Sequence, residues 1–543
     1  MGESERTKID RRAFMAGVVA TALAAAACSS EDDAAQSEDT GQPAEDSNTT
    51  GDSRPALPTD LAAEVFALGV ASGDPLPDSV ILWTRIVADP LADDGGVGTA
   101  PIPVSWEVAA DKEFADVVAS GDAVAVPLLA HSVHADASAL EPDTWYWYRF
   151  SVGDRISPVG RTRTTPAKRS SPEKLRFAFA SCQNRQAGYW TAHKHLAEEN
   201  IDLVLFLGDY IYEEAPGAPG PNANRSPAPV DLPTYRARWA DYKTDPALQA
   251  AHARCPWVCT WDDHEVSNDY ADDVAQFADP ADQEGRARFL DRRAAAYQAF
   301  YEHSPVRLDP PEGPDYTIYR HVLWGKLAGF YVLDGRQYRS DQACADSAIL
   351  AGTSAGPLCD EAKAEDRTML GEEQEAWLGD AFEASDARWN VLANQTVMTT
   401  VPFASGIYNL DQWDGYPAAR DRLLEQLVDV SNPIVITGDI HLSGVGTIGQ
   451  QPDDSDAPVA VEFVGTSISS PFPAADLIES TVSSVPEVHY INARQRGYVV
   501  CTVTPEETRA EFRFVSTIAD PEATVETGAT WIVTDGDAVP RSA

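Results

Sequence analysis

The chain has 543 residues, of which 43% are hydrophobic and 23% charged. That is length and apolar content for two or more domains around a large core, and it excludes wholesale disorder. Its 85 acidic residues against 41 basic ones give a formal net charge of −44, which disfavours non-specific binding to nucleic acid or to an anionic membrane surface.

The first 28 residues read as an export signal: Arg11-Arg12, then Phe14-Met15, then a small apolar stretch from Val18 to Ala27 ending at Cys28. The apolar run is too short and wrongly flanked to span a membrane. Adjacent arginines before an apolar residue resemble the twin-arginine signal, which is read by a receptor and exports folded proteins. That route suits a chain that acquires a metal centre before it leaves the cell. Cys28 after Ala25-Ala26-Ala27 resembles a lipoprotein cleavage site, with Ala25 standing where Leu is usual. The expected destinations are the periplasm, the cell surface through a lipid on Cys28, or the medium. Residues 29–64 scatter Asp and Glu among Ser, Thr, Gly and Pro without hydrophobic period, and are expected to form a disordered acidic linker.

Between 65 and 166 the signals are short and strand-like: Val80-Ile81-Leu82-Trp83, the alternating Val104, Trp106 and Val108, and Trp145 to Phe150, separated by Gly, Pro and Asp turns. They predict a small β-sandwich. His131 and His134 lack an acidic or cysteine partner in a ligand pattern and are expected at the surface. Pro166 to Pro172 reads as a linker.

From 173 to 530 the pattern changes to α/β. Apolar runs at Leu175–Ala180, Ile201–Leu207, Trp257–Thr260, Leu327–Leu333, Asn390–Ala393, Ile434–Thr437 and Val459–Val464 predict strands. The clearer helices are Trp190–Glu199, Arg286–Tyr301, Glu372–Phe382 and Arg420–Val428. His193 and His195 lie two apart on the first of these, point to different faces and are read as structural. Of the seven cysteines, Cys344 and Cys359 flank a segment rich in small residues and are expected to form a disulfide. Cys255 and Cys259 enter a strand that holds them about 13 Å apart, too far to bridge, and Cys501 reads as a buried hydrophobe.

Polar, metal-competent residues stand where the apolar runs stop: Ser181-Cys182, Gly208-Asp209-Tyr210-Ile211-Tyr212, Asp262-Asp263-His264-Glu265, Asn394-Gln395 and Gly438-Asp439-Ile440-His441. Open α/β sheets bind ligands outside the carboxyl ends of their strands, so five such ends can converge on one site. Asp209 and Asp439 offer anionic oxygens for hard cations. His441, Cys182 and Tyr212 offer imidazole, thiolate and phenolate, which suit a transition metal such as ferric iron.

These strand ends, with Leu68 to Pro75, Ile81-Leu82-Trp83-Thr84-Arg85, Leu333-Asp334-Gly335-Arg336 and Gly415-Tyr416-Pro417, resemble the PhoD-type alkaline phosphatases of the metallophosphoesterase superfamily over about 65–530. The resemblance implies a fibronectin- or immunoglobulin-like domain, then a four-layered metallophosphatase sandwich of two sheets between helices. It implies ferric iron held by Cys182, Asp209, Tyr212 and His441, and calcium reached by Asp209 and Asp439. Asp263 or Asn268 would be a further calcium ligand. It also implies hydrolysis of phosphomonoesters, and of diesters, by attack of a metal-held hydroxide or oxide, with His264 as general acid and Arg336 gripping a phosphate oxygen. Arg339 ranks below Arg336 for that contact. The expected partners are small-molecule phosphate esters, met by a monomer. Competing readings are a dedicated phosphodiesterase or phospholipase D-like enzyme, and a surface-binding lipoprotein with a degenerate site.

Overall fold

The computed structural model describes residues 56–58 and 61–543, except 216, 218–221, 277, 280, 345–353, 403–405, 450–457 and 473–474. The export signal, Cys28 and most of the acidic linker lie outside the described residues.

Two large sheets position the site. In the ten-stranded sheet, Leu175–Ala180, Leu203–Phe206 and Trp257–Cys259 run parallel, and Arg496–Val503, Glu507–Val515 and Val525–Thr534 extend one side antiparallel. In the seven-stranded sheet, Ala328–Val332, Trp389–Ala393, Pro433–Thr437 and Ala460–Val464 are parallel neighbours. These central strands are buried along nearly all their length, which is what continuous apolar runs rather than alternating ones encode.

One core lies between the sheets, where Phe177, Phe179 and Leu205 meet Phe330, Val391, Ile434 and Phe463. The other face of the ten-stranded sheet is covered by the helices Thr191–Leu196, Leu232–Lys243, Pro246–His252 and Gln283–His303, through residues including Trp239, Leu248 and Tyr297. Helices Glu372–Glu383 and Pro417–Leu427 cover the seven-stranded sheet with Leu378, Leu423 and Leu424. Each such side chain contributes about 1.5–3 kcal/mol on full burial.

A five-stranded sheet containing Ile102–Ala109, Val117–Ala125 and Trp145–Val152 packs Val104, Tyr148 and Phe150 onto Val70, Leu82 and Val133. The latter three belong to Val70–Gly73, Val80–Arg85 and Ser132–Ala137, which are strands of the ten-stranded sheet. Gly73 sits opposite Trp257 in parallel pairing, so strands from both sides of the 166–172 segment share one sheet.

The Cys344–Cys359 disulfide is present, and Cys182, Cys255, Cys259 and Cys501 are unpaired and buried. The expectation of surface histidines at 131 and 134 fails. His131 is buried with its ring nitrogens on the carbonyls of Ala125 and Gly98, and His134 stacks on Tyr301 with Nε2 2.9 Å from the Ser304 carbonyl. They tie strand Ser132–Ala137 and the turn before it to neighbouring chain segments. His193 and His195 do diverge: Nε2 of His193 meets Gln183 Oε1 at 2.6 Å, and Nε2 of His195 meets the Ala523 carbonyl at 2.8 Å.

Candidate metal centre

The carboxyl ends of the parallel strands in both sheets open onto the same place. Cys182 follows Leu175–Ala180, Asp209 follows Leu203–Phe206, Asp262 and Asp263 follow Trp257–Cys259, and Asp439 and His441 follow Pro433–Thr437. Four of these residues, Cys182, Asp209, Asp439 and His441, have φ of 60°, 55°, 64° and 57°, a left-handed conformation that non-glycine residues adopt rarely and that clusters at functional sites. The glycines beside them have a steric reason. A Cβ on Gly208, itself at φ +107°, would lie 2.4 Å from Asp262 Cβ, and one on Gly438 would lie 2.3 Å from Ser181 Oγ. The Gly-Asp pairs therefore let loops from neighbouring strands of one sheet, and loops from the two different sheets, pass close enough for their side chains to meet.

Among the described residues three groups of ligand atoms result, each with its atoms within 4.8 Å of one another: Cys182, Asp209 and His441; Asp209, Asp263 and His264; Asp262, Asp263 and Asp439. Asp209 belongs to the first two and Asp263 to the last two, so the groups form a chain. Tyr212 joins the first, donating from its hydroxyl to Asp209 Oδ2 at 2.9 Å, with His441 Nε2 3.1 Å away and Ser470 Oγ donating to it at 2.7 Å. Tyr210 does not join: its hydroxyl meets His252 Nε2 at 2.8 Å and its ring stacks on Trp239. Asn268 donates its amide to Gln276 Oε1 and its backbone N–H to Glu213, whereas Asp263 faces the other carboxylates.

The electrostatics fit cations. Burial and neighbouring carboxylates push Asp209 and Asp439 well above the usual carboxylate range, and burial followed by the Asp209 charge does the same to the Cys182 thiol. Buried Asp209 Oδ1 and Asp262 Oδ2 have no hydrogen-bond partner. An unpartnered buried carboxylate oxygen is costly, and a cation removes that cost while deprotonating its ligands. Burial, with His264 and Arg496 nearby, lowers His441 to about 3, so its imidazole is neutral and able to ligate.

His264 differs. Burial opposes its charge, but Glu213, Asp209 and Asp263 outweigh burial and raise it well above its ordinary value. Its Nδ1 contacts Glu213 Oε2 at 2.6 Å, and Glu213 is itself fixed by the Asn268 N–H at 2.8 Å. A protonated imidazole held in this way can donate to a phosphate oxygen or to a leaving group.

Arg336 does not stand free to grip phosphate. Its guanidinium is fully buried, with Nε on Asp262, one terminal nitrogen 2.9 Å from Asp411 Oδ2 and the other 3.5 Å from Asp439 Oδ1 and 3.8 Å from Asp263 Oδ1. It is an internal counter-ion for the carboxylate wall, and Arg339 is likewise spent on Asp411 at 3.0 Å. Asn394 and Gln395 are spent on backbone and neighbouring groups, with Gln395 Nε2 on the Leu333 carbonyl at 2.6 Å.

Sequence reasoning assigned no role to several residues that shape the site. Glu265 accepts from the backbone N–H groups of Asp209, Tyr210 and Asp262, stapling two ligand loops together. Gln412 donates to Asp439 Oδ2 at 2.6 Å, and Arg496 donates to the His441 carbonyl. Glu213, which orients His264, was not singled out in the sequence either.

A sequence model of the PhoD-like phosphatase family matches residues 177–512, and the model of the N-terminal domain of that family matches 52–166. Alkaline phosphatase D of Bacillus subtilis (strain 168) is 45% identical over 482 residues, which is 86% of this chain and 80% of that protein. The solved structure of PhoD superposes with a TM-score of 0.82 at 43% identity, over 88% of this chain and 92% of that one. The purple acid phosphatase PPD1 of yellow lupin shares the fold at a TM-score of 0.52 and 11% identity, over 86% of this chain and 74% of that one. On this agreement along nearly its whole described length, the chain belongs to the PhoD-like phosphatase family.

Proposed function

We propose that the chain is a metal-dependent alkaline phosphatase that hydrolyses phosphomonoesters and phosphodiesters after export. The observation that carries this is the linked set of ligand groups in which Asp209 joins the thiol, phenol and imidazole side to the carboxylate side. Cys182, Tyr212, His441 and Asp209 are the donor set for ferric iron, and Asp209, Asp263 and Asp439 are the oxygen-rich set for calcium. When bound, such cations supply Lewis acidity toward phosphate oxygens and lower the pKa of water.

The chain's own residues do the rest. Left-handed backbone at the ligand positions and the Glu265 staple fix the donors before substrate arrives. Arg336 keeps four carboxylates close without neutralising the unpartnered oxygens. His264, oriented by Glu213, donates a proton or a hydrogen bond to the departing alkoxide. The order of the cores, helices, sheet, sheet, helices, supports a four-layered catalytic domain, and the core shared with the five-stranded sheet supports a sandwich-like N-terminal domain. Arg11-Arg12 and Cys28 support twin-arginine export and lipid anchoring.

Turnover of mono- and diester panels, measured with elemental analysis before and after chelation, tests this reading. Restoration by calcium but not magnesium is expected, and full turnover by verified metal-free protein would refute it. Substituting Arg11 and Arg12 by Lys should retain the chain in the cytoplasm, and Cys28→Ala should release it from membranes.

A further inference from the structure

Beside the metal centre lies an apolar recess of about 580 Å³, including the part open to solvent. Its walls come from Leu442, Val464, Ile478 and Val482, which belong to one buried cluster, and from half-buried Ile491 packed against it. Ile478 and Val482 belong to helix Ala475–Val482. That helix is tied down from outside by Arg494, whose Nε reaches Glu479 Oε2 at 2.9 Å, and by the Ala493 N–H on Glu479 Oε1 at 2.9 Å.

Two lining residues connect the recess to the cation ligands. Ile440 lies in the chain between Asp439 and His441, and Gln412 donates to Asp439 Oδ2 at 2.6 Å. Two of the polar lining groups are already engaged: Gln412 Oε1 accepts from the Val397 N–H at 2.6 Å, and Asp414 Oδ2 accepts from the Val401 N–H at 3.0 Å, whereas the buried Thr399 Oγ1 has no hydrogen-bond partner. A hydroxyl-rich substituent entering between these apolar walls would lose more hydrogen bonds to water than Thr399 Oγ1 could return, whereas a hydrocarbon gives up none.

We propose that this recess receives the apolar alcohol portion of a phosphate ester whose phosphate sits on the metal centre. Esters with an alkyl or aryl substituent are then preferred over sugar phosphates. The proposal rests on the reading of the site as a phosphate ester hydrolase and adds a substrate class to it.

The test uses the metal-loaded full chain and n-alkyl phosphates from methyl to octyl, with glucose phosphate as the polar comparison. Each buried methylene is worth about 0.8 kcal/mol, so kcat/KM should rise about fourfold per carbon over the first few carbons, while glucose phosphate stays near methyl phosphate. Ile478→Asn and Val482→Asn should each cut the octyl-to-methyl ratio by about tenfold. Calorimetric binding of the uncleavable octylphosphonate, tighter than methylphosphonate and with a negative heat-capacity change, supports the same recess without turnover. Hydrolysis of methyl phosphate with a flat alkyl series and no chain-length effect on phosphonate binding would overturn the recess alone. Absence of hydrolysis for every ester would overturn the phosphatase reading, and phosphonate binding would still decide whether an apolar group enters. If the Asn variants do not fold, the wild-type series and the phosphonate pair decide.

Discussion

Replacing Lys243 by Met should stabilise the protein near neutral pH and remove a pH dependence that wild type carries. Lys243 ends helix Leu232–Lys243 and is 2% exposed. Its ammonium lies over the rings of Trp83 at 4.3 Å and Tyr210 at 5.3 Å. Burial lowers it from 10.5 to about 7, with Cys259 opposing. The unfolded chain therefore binds more protons than the folded one between about pH 7 and 10.5, and stability rises with pH across that window. The burden is fully present below the folded pKa and fully relieved above the unfolded one. The gap between 10.5 and about 7, at roughly 1.4 kcal/mol per pH unit, amounts to about 5 kcal/mol. Met keeps the stem's length and apolar contacts and does not titrate. Urea unfolding of both proteins at pH 7, 8, 9 and 10 should show the variant ahead by several kcal/mol at pH 7 and the gap closing toward pH 10. Parallel curves would mean that Lys243 is not desolvated in the fold. The direction matters for the proposed chemistry, because it places greater stability on the alkaline side.

Arg336→Met should cost metal-free protein about 3–5 kcal/mol, because it leaves buried carboxylates without their counter-ion, and Arg336→Lys should recover part of the loss. Unchanged unfolding midpoints would show that the aspartates are compensated by another route. Glu265→Gln leaves one amide oxygen to serve three backbone N–H groups, so each orphaned donor should cost about 1–3 kcal/mol, and metal content measured by elemental analysis should fall as the two loops separate. Retained metal at wild-type stoichiometry would remove Glu265 as a positioning residue. A tyrosine ligand to ferric iron should give the purified protein a visible charge-transfer band. Tyr212→Phe should bleach it, while Tyr210→Phe should leave it intact and cost about 1 kcal/mol through the lost contact with His252. The reverse pattern would move the ligand by two residues.

What the sequence determined by itself was local. Continuous apolar runs specified buried parallel strands because both faces of such strands are covered, and the polar residues that end those runs, among them Cys182, Asp209, Tyr212, Asp439 and His441, marked one candidate site, while Asp263 or Asn268 entered through the resemblance. The helix Leu232–Lys243 was not legible, because Arg236, Arg238, Asp241 and Lys243 interrupt its apolar stripe although Arg238, Asp241 and Lys243 are buried. The burial of Asp241 and Arg238 is tolerated through partners outside the helix, Arg225 for Asp241 at 2.7 Å and the Glu214 and Pro227 carbonyls for Arg238 at 2.9 Å.

The tertiary structure alone decided the partners of charged groups. Arg336 reads in sequence like any arginine after a strand, and it becomes a counter-ion because Asp262 and Asp411, 74 and 75 residues away, close on it. Tyr212 is preferred over Tyr210 in the sequence on one loop from which both can turn inward, and their contacts are set by distant segments: His252 and Trp239 for Tyr210, Ser470 and His441 for Tyr212. Periodicity and turn chemistry act over a few residues and survive in any chain with this sequence. Ion pairing and ligation depend on which segments meet, and that is settled when the two sheets pack.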